Sequence, residues 1–182
     1  KLDIESKWVE QWGNQSLYDY DPNVGKENTF VVDTPPPTVS GDLHMGHVFS
    51  YTQTDIVVRY QRMNGKNIFY PIGWDNNGLP TERRVQNIYK ISCDPTLSYQ
   101  PMEFTVQKNK KARMQPVSRQ NFTEACRQQT TEDQKKYRAL WKRVGLSFDW
   151  RYEYTTMDPS SIKTSQYSFL QLVKKGVVSS KQ

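Results

Sequence analysis

The chain has 182 residues and carries 25 Lys and Arg against 19 Asp and Glu, which gives a net charge of +6 and a pI near 9.2. This length is sufficient for one domain with a substantial core, and the basic balance favours polyanionic partners without identifying them. The only cysteines, Cys93 and Cys126, lack C-x-x-C spacing, which argues against a disulfide framework or a cysteine zinc site and indicates a reducing compartment. No apolar run approaches the ~20 residues of a membrane span, and the N-terminus has no signal-peptide pattern. We therefore expect no membrane association and a cytoplasmic location.

The first 28 residues are predicted to form a short leading helix and an irregular lead-in. Apolar residues recur at helical spacing over 2–12, and the pattern ends at Gly13. These residues are Ile4, Trp8, Val9 and Trp12. Residues 13–28 are polar and show no period, so the main domain is expected to occupy 29–182.

The next segment predicts a strand, a helix and a second strand. Thr29–Thr34 has a near-continuous apolar centre, which is typical of a buried parallel strand. From Gly46 to Met63, residues that could face a sheet recur every three or four positions, and Gly65 ends the helix. These positions are Val48, Tyr51, Thr52, Asp55, Ile56, Arg59, Tyr60 and Met63. Asn67–Ile72 is the predicted second strand, and Gly73–Asn77 is the turn after it.

After the second strand, the sequence predicts a helix, an irregular insertion and another helix. Pro80–Tyr89 favours a helix, and 92–130 is expected to be an irregular insertion because its first thirty or so residues hold few aliphatic side chains and several prolines. Thr131 and Gln134 have the spacing of a capping box that opens the next helix. That helix has an apolar stripe and ends at a glycine. The stripe and the glycine are Tyr137, Leu140, Trp141, Val144 and Gly145.

A last helix is predicted near the end of the chain. Asp158 is a suitable cap, with Pro159 at the first helical position and Gly176 after the end. Its predicted core face consists of Phe169, Leu172 and Val173. Val177 and Val178 would begin a further strand.

The most informative residues are His44 and His47, which flank Gly46 at the predicted start of the long helix. They are the only histidines of the chain, which disfavours the alternative of two ordinary surface or core residues. Free N–H groups and the helix dipole attract anions there, and a glycine allows a phosphate to approach closely. Imidazoles can also donate hydrogen bonds to phosphate oxygens. A zinc site is not expected because no third ligand is evident nearby.

Two longer motifs resemble those of the class I aminoacyl-tRNA synthetases. Pro35–His47 reads PPPTVSGDLHMGH and resembles the HIGH signature, while Gly73–Glu82 reads GWDNNGLPTE and resembles the strand-end motif GWDxxGLP. The resemblance covers nearly the whole chain. It implies an α/β fold: a partial Rossmann-like nucleotide-binding domain with parallel strands and a helical and irregular insertion. Residues 29–182 would be the first half of a split catalytic domain, ending where an editing insertion begins.

The resemblance also implies site residues. The ATP-binding positions match Thr38, His44, Gly46 and His47, of which the two histidines would be catalytic. The amino-acid-binding positions match Pro35, Pro36, Trp74 and Asp75. ATP, with Mg²⁺ as its usual companion, is the implied cofactor, and no protein-bound zinc is expected.

The amino-acid positions have both a functional and a plain interpretation. A rigid proline wall without N–H donors suits a small branched apolar side chain, although the prolines could simply end the strand. Asp75 would pair with the α-ammonium of the substrate, or it could only form a turn before Asn76 and Asn77. Trp74 is equally consistent with a pocket wall and with the core.

Within the family, the proline loop and Thr38-Val39-Ser40 are most similar to the valyl enzymes, which implies valine, tRNA(Val) and the remainder of a synthetase chain as partners. Isoleucyl and leucyl enzymes are alternatives, as is a non-catalytic paralogue that binds nucleotide, or tRNA through the basic run at 108–113. Another class I nucleotidyltransferase is disfavoured by the two motifs. Many relatives carry a His just after the motif Asp, where this chain has Asn76 and Asn77. Since no KMSKS-like loop is present, we expect little activity from this segment alone.

Overall fold

The structure, a computed structural model, describes residues 2–41, 43–109 and 111–180. Within these residues the α-helices are α1 (Leu2–Asn14), α2 (Met45–Met63), α3 (Leu79–Tyr89), α4 (Arg119–Val144) and α5 (Pro159–Lys174). The strands are β1 (Thr29–Val31), β2 (Asn67–Phe69), β3 (Gly73–Trp74), β4 (Ile91–Cys93), β5 (Gln115–Val117) and β6 (Tyr154–Thr155). Short 3-10 turns precede β1 and β6.

All the paired strands are parallel, as the strand–helix–strand order predicts. β1 pairs with β2, β3 pairs with β6, and β4 pairs with β5. Because α2 connects β1 to its neighbour β2, these elements form a βαβ unit. In such units, ligands bind at the carboxyl ends of the strands.

The segment from β2 to Asp75 is the axis of the fold. On one side, β1 is followed by a bridge in which Asp75 N–H donates to the carbonyl of Pro37 over 2.9 Å and Val39 N–H donates to the carbonyl of Asp75 over 2.8 Å. On the other side, the N–H of Thr156 donates to the carbonyl of Trp74 over 3.0 Å. Three stretches of chain that are distant in sequence therefore lie side by side just beyond the strands.

The main core lies between this axis, α2 and α4. It contains aromatic side chains from all three, with the ring of Tyr51 4.9 Å from that of Trp141 and the ring of Trp74 6.1 Å from that of Tyr137. Its buried members are Val39, Tyr51, Val58, Ile68, Tyr70, Ile72, Trp74, Tyr137, Trp141, Leu146 and Phe148. This burial is the principal stabilising contribution to the domain.

A second cluster joins α3, α4 and the pair β4–β5. Its buried members are Val85, Tyr89, Ile91, Val117, Phe122 and Ala125. Beside it, the guanidinium of Arg84 on α3 donates to both carboxylate oxygens of Asp133 on α4, at 2.7 and 3.0 Å. Asp133 is fully buried, so the bidentate geometry is needed to compensate for the loss of its hydration.

The segment 92–130 is more regular than its composition predicts. It contains most of β4, all of β5 and the first part of α4, which begins at Arg119, twelve residues before Thr131. The actual cap is Ser118, whose side chain accepts a hydrogen bond from the N–H of Asn121. Thr131 lies inside the helix, where its hydroxyl donates to the carbonyl of Arg127 over 2.9 Å. The predicted capping box is therefore wrong, because a threonine within a helix can bond back to the preceding turn.

The predicted faces of α2 and α5 also need correction. On α2 the buried residues are Tyr51, Asp55 and Val58, whereas Ile56, Tyr60 and Met63 are exposed. The predicted stripe included these three exposed residues and omitted Val58, since only one narrow face, with positions three or four residues apart, reaches the core. On α5 the predicted core face, Phe169, Leu172 and Val173, is exposed, because the other described elements do not enclose it.

Three further differences concern strands. β2 ends at Phe69 rather than at Ile72, and β3 forms at Gly73–Trp74, where a turn was predicted. β1 ends at Val31, which is exposed, rather than continuing as a buried strand to Thr34. The predicted strand at Val177 and Val178 is not formed in the residues described up to 180. Among the described residues, the helices are all too short or too polar to cross a bilayer.

Substitution of two isoleucines tests this arrangement. Ile72 is fully buried within the segment from β2 to Asp75, so Ile72→Ala should lower the free energy of unfolding by about 2–5 kcal/mol. Ile56→Ala makes the same chemical change on the exposed side of α2 and should alter it by less than about 0.5 kcal/mol. Urea unfolding followed by circular dichroism measures both, and equal losses would contradict the assignment of Ile56 to the surface.

Candidate functional site

A cavity of about 540 Å³ opens at the carboxyl end of β1. The loop Thr34–Thr38 forms one wall, and the first turns of α2 form the other. The residues from α2 and its cap are His44, Gly46, His47, Ser50, Tyr51 and Thr54. The structure thus brings together Pro35, Pro36, Thr38 and both histidines, all of which the sequence places in the site.

The two histidines are held by the start of α2 itself. His44 is the N-cap, and its Nδ1 accepts a hydrogen bond from the N–H of Gly46 over 3.1 Å. The Nδ1 of His47 faces the N–H of His44 at 3.5 Å, which completes a capping box made of two imidazoles. A capping box satisfies N–H groups that a helix leaves without partners at its N-terminus.

This arrangement fixes which ring nitrogens carry protons. An Nδ1 that accepts a hydrogen bond is unprotonated in the neutral imidazole, so the proton lies on Nε2. Both histidines line the cavity, and in each one Nε2–H is the donor that the cap does not use. The pair is therefore set to donate two hydrogen bonds to an anion.

Gly46 also has a steric effect that the sequence does not predict. A Cβ atom at this position would lie 2.9 Å from Cε1 and 3.0 Å from Nδ1 of His44. The glycine therefore leaves room for the His44 ring over the helix start. Its N–H is bonded to that ring and is therefore not the free donor that the sequence predicts at this position.

The two imidazole rings lie close together, and this affects the charge of His47. Their centroids are 4.0 Å apart, with an angle of 32° between the planes. Partial burial lowers the pKa of His47 below its ordinary value of 6.5, and the neighbouring His44 lowers it further. The neutral form of His47, which the capping box requires, is thereby favoured near neutral pH.

The proline wall is tied to α2 by Tyr51. The Tyr51 hydroxyl donates to the carbonyl of Pro35, and burial raises the pKa of this phenol to about 12. The hydroxyl therefore remains protonated and available as a donor at physiological pH. Because the prolines lack N–H groups, the wall is apolar apart from its carbonyls.

Asp75 lies beside this cavity, at the end of β3. The bridge to Thr38 aligns its backbone with the proline loop, and the Thr38 hydroxyl lies 3.4 Å from Oδ2 of the carboxylate. The hydroxyl of Thr156 donates to Oδ1 over 3.2 Å, and the N–H of Asn77 donates to the same oxygen over 3.1 Å. Asp75 is only partly buried, so its carboxylate remains accessible to a ligand.

Trp74, in contrast, does not line the cavity. Its side chain is fully buried, and its indole N–H donates to a carboxylate oxygen of Glu153 over 2.7 Å. Glu153 in turn accepts from Arg138 over 2.7 Å. Of the two interpretations that the sequence leaves open for Trp74, this placement favours the core.

Several residues of the site were not identified from the sequence. Ser50, Tyr51 and Thr54 follow His47 at three, four and seven positions, so helical periodicity could have placed them on the same face. Thr156 and Gln134 carry no comparable signal, because they approach from distant elements. Gln134 donates to the side-chain oxygen of buried Asn76 over 3.0 Å and thereby connects α4 to the strand end.

The cavity suits anions better than cations. Among the described residues, its walls carry imidazole, hydroxyl and proline groups and no carboxylate. Over the ranges that the structure describes, no group of three or more His, Cys, Asp or Glu residues could hold a metal ion.

Comparisons with known proteins place the chain among enzymes of one family. The model of the tRNA synthetases class I (I, L, M and V) matches residues 7–182. A valine–tRNA ligase of Thermobifida fusca is 53% identical over 174 residues, which are 95% of this chain and 20% of that protein. A valine–tRNA ligase of Leifsonia xyli is 51% identical over an alignment of 183 residues, which covers 95% of this chain and 21% of that protein. The chain therefore spans about a fifth of the length of these curated relatives.

The fold also has a counterpart among solved structures. The LeuRS of Agrobacterium radiobacter, solved in a ternary complex with tRNA and LeuAMS, superposes with a TM-score of 0.67 at 24% identity. The match covers 94% of this chain and 17% of that one. The predicted α/β, Rossmann-like fold is confirmed by this match.

An NMR titration of the histidines tests whether His44 lowers the pKa of His47. His44→Gln removes the neighbouring charge, so the pKa of His47 should rise toward its ordinary value of 6.5 while remaining below it because of burial. The chain has only two histidines, so an NMR titration of the variant follows His47 alone. His47→Gln serves as the matched variant, in which His44 is observed. A His47 pKa that stays the same or falls in His44→Gln would contradict the coupling.

Proposed function

We propose, because the chain belongs to the class I tRNA synthetases (I, L, M and V), that it forms the ATP- and valine-binding part of a valine–tRNA ligase. Its identity to curated valine–tRNA ligases is about one residue in two over nearly its whole length. The same similarity makes the isoleucyl and leucyl alternatives less favourable. Activity, substrates and partners of the whole enzyme remain part of the proposal, since the chain spans about a fifth of those relatives.

The observation that carries the proposal is the composition of the cavity. Two histidines with fixed Nε2–H donors share it with a proline wall, and Asp75 lies beside it. The two histidines suit a polyphosphate, the proline wall suits a small apolar side chain, and the carboxylate of Asp75 suits an ammonium group. An enzyme that activates an amino acid with ATP needs these three groups together.

In the proposed reaction the valine carboxylate attacks the α-phosphorus of ATP. A bond forms between a carboxylate oxygen and phosphorus, and the bond to the bridging oxygen of the β-phosphate breaks, which releases pyrophosphate. His44 and His47 would donate to phosphate oxygens as negative charge is redistributed. Their rings are already held by the capping box, so little reorganisation is needed during the reaction.

At the other end of the substrate, Asp75 would bind the α-ammonium of valine. Pro35 and Pro36 would contact the isopropyl group, and the hydrogen bond from Tyr51 to Pro35 would hold that wall in place. Trp74 would act from the core, by fixing the strand on which Asp75 lies. Orientation of both substrates in one site supplies a large part of the rate acceleration in such reactions.

Magnesium would enter with the nucleotide. The described residues of the cavity walls offer no carboxylate, so this ion would be held mainly by the ATP phosphates, whose charge it partly neutralises when bound. Transfer of valine to tRNA(Val) would require the remainder of a synthetase chain, and we expect this segment alone to be weakly active or inactive. The cytoplasmic location inferred from the sequence stays a prediction.

A chimaeric enzyme tests the activity. The matching 174-residue segment of the Thermobifida fusca valine–tRNA ligase is replaced by this chain, and ATP–pyrophosphate exchange is measured with valine, isoleucine and leucine. We expect exchange that depends on valine. Asp75→Asn should reduce kcat/KM for valine about thirtyfold or more, because a charged partner of the ammonium is lost.

Asp94→Asn is the matched control, since Asp94 lies in the insertion and its contacts to Thr96 can be kept by Asn. The unmodified relative serves as the positive control. Exchange that prefers isoleucine or leucine, or that Asp75→Asn leaves unchanged, would overturn the assignment.

Gly46→Ala tests the ATP end of the site in this chain. The new methyl group should displace the His44 ring and remove the Nε2–H contact, which weakens ATP binding about tenfold or more. Unfolding should change little, because the lost cap, ~1 kcal/mol, is offset by the helix propensity gained when Gly becomes Ala. Calorimetric titration with ATP measures the affinity.

Gly41→Ala is the control, because a Cβ atom there would have no neighbour within 4 Å. It should bind ATP with the affinity of the unmodified chain. ATP binding that is equal in Gly46→Ala and the unmodified chain would refute the role given to the His44 ring.

A further inference from the structure

The carboxylate of Asp75 is held by donors on both of its oxygens. Oδ1 accepts from the hydroxyl of Thr156 at 3.2 Å and from the N–H of Asn77 at 3.1 Å. Oδ2 has the hydroxyl of Thr38 at 3.4 Å. The donor on Asn77 is a local backbone contact of a turn, whereas Thr156 reaches Asp75 from 81 residues further along the chain.

The hydroxyl of Thr156 contacts two groups of the strand end at once. It accepts a hydrogen bond from the N–H of Asn76 over 3.0 Å and donates to Oδ1 of Asp75. A hydroxyl has a single proton, so accepting from Asn76 leaves that proton for the carboxylate. Thr156 therefore fixes both the backbone after Asp75 and the rotation of its side chain.

The position of Thr156 is itself well determined. Its own N–H donates to the carbonyl of Trp74, so it continues the pairing of β6 with β3. Two residues after it, Asp158 caps α5 and accepts from the N–H groups of Ser161 and Thr155, which helps to lower the pKa of Asp158 to about 2. The turn that carries Thr156 is thus held by the pairing with β3 before it and by the contacts of Asp158 after it.

We propose that Thr156 is a positioning residue for ammonium recognition, which orients the Asp75 carboxylate toward the substrate. The inference rests on the proposed function, because it takes Asp75 to be the partner of the amino-acid ammonium. A carboxylate offers about four lone-pair positions, and the three donors around Asp75 leave one of them, on Oδ2, for a ligand. Without Thr156 the carboxylate can rotate, and part of the ammonium contact is lost.

The test compares two stable analogues of the aminoacyl-adenylate by calorimetric titration of this chain. One is valyl-sulfamoyl-adenosine, and the other is its isovaleryl counterpart, which is identical except that the α-amino group is missing. The dissociation constant of the isovaleryl compound divided by that of the valyl compound isolates the ammonium contact from nucleotide and side-chain binding. In the unmodified chain we expect the valyl compound to bind at least about tenfold more tightly.

Thr156→Val keeps the shape of the side chain and removes the hydroxyl. It should reduce this ratio about fivefold to tenfold while the affinity for ATP stays within about twofold, because only the ammonium contact is affected. Thr156→Ser keeps the hydroxyl and should restore the ratio. Thr155→Val is the matched control, since Thr155 is the preceding residue of β6 and strand geometry places its side chain on the opposite face.

Hydrogen exchange supplies a readout that needs no ligand. The amide of Asn76 should exchange faster in Thr156→Val than in the unmodified chain, and at the original rate in Thr156→Ser, because Oγ1 is its acceptor. Circular dichroism verifies that each variant is folded. If the valine variant is unfolded, Thr156→Ala removes the same hydroxyl with a smaller side chain and takes its place.

Each result has a distinct meaning. A reduced ratio that serine restores supports the proposal. A ratio that stays high in Thr156→Val refutes the role of Thr156 and leaves the proposed function intact. An unmodified chain that does not prefer the valyl compound refutes ammonium binding by Asp75, and the inference falls with it. A ratio reduced equally by Thr155→Val shows a general effect on the strand and also overturns the proposal.

Discussion

The short parallel bridge between Thr38 and Asp75 is the constraint on which the site depends. Two backbone hydrogen bonds, from Asp75 to Pro37 and from Val39 to Asp75, join the proline loop to the end of the central axis. Side-chain contacts could drift by small rotations, but a backbone bridge fixes the separation of the two segments. The proline wall, the start of α2 and the carboxylate of Asp75 take their relative positions from it.

Around this bridge, each functional group is held by a contact that serves the fold as well. The histidines cap α2 while they line the cavity, Tyr51 belongs to the core while it bonds to Pro35, and Thr156 extends β6 while it contacts Asp75. Trp74 is buried in the core and connected through Glu153 to Arg138 on α4. A site built in this way is rigid because moving any of its groups also disturbs local structure.

The sequence predicts the parts of this arrangement that depend on local pattern. The βαβ order, the start of α2 and the placement of His44, His47 and the prolines beside one another follow from motif and periodicity. It places Asp55 on the sheet-facing side of α2, but it does not predict the partner of this buried carboxylate, which accepts from Ser147 92 residues later. Nor does it predict the start of α4. Thr131 and Gln134 have the spacing of a capping box, and only the structure shows that the helix has already begun at Arg119. Thr156 belongs to the same class: its importance depends on pairing between distant strands, for which one sequence contains no period.

The two ends of the site differ in how far apart their components lie along the chain, and this has a consequence for folding. The histidine contacts connect residues two or three positions apart, so they can form together with the first turn of α2. The carboxylate contacts of Asp75 with Thr38 and Thr156 close loops of 37 and 81 residues. Local contacts of the first kind form early, whereas long loops close late because of their entropy. In a chain emerging from the ribosome, the start of α2 with its two histidines can therefore form before Asp75 gains its contact with Thr156, which requires β6 to dock.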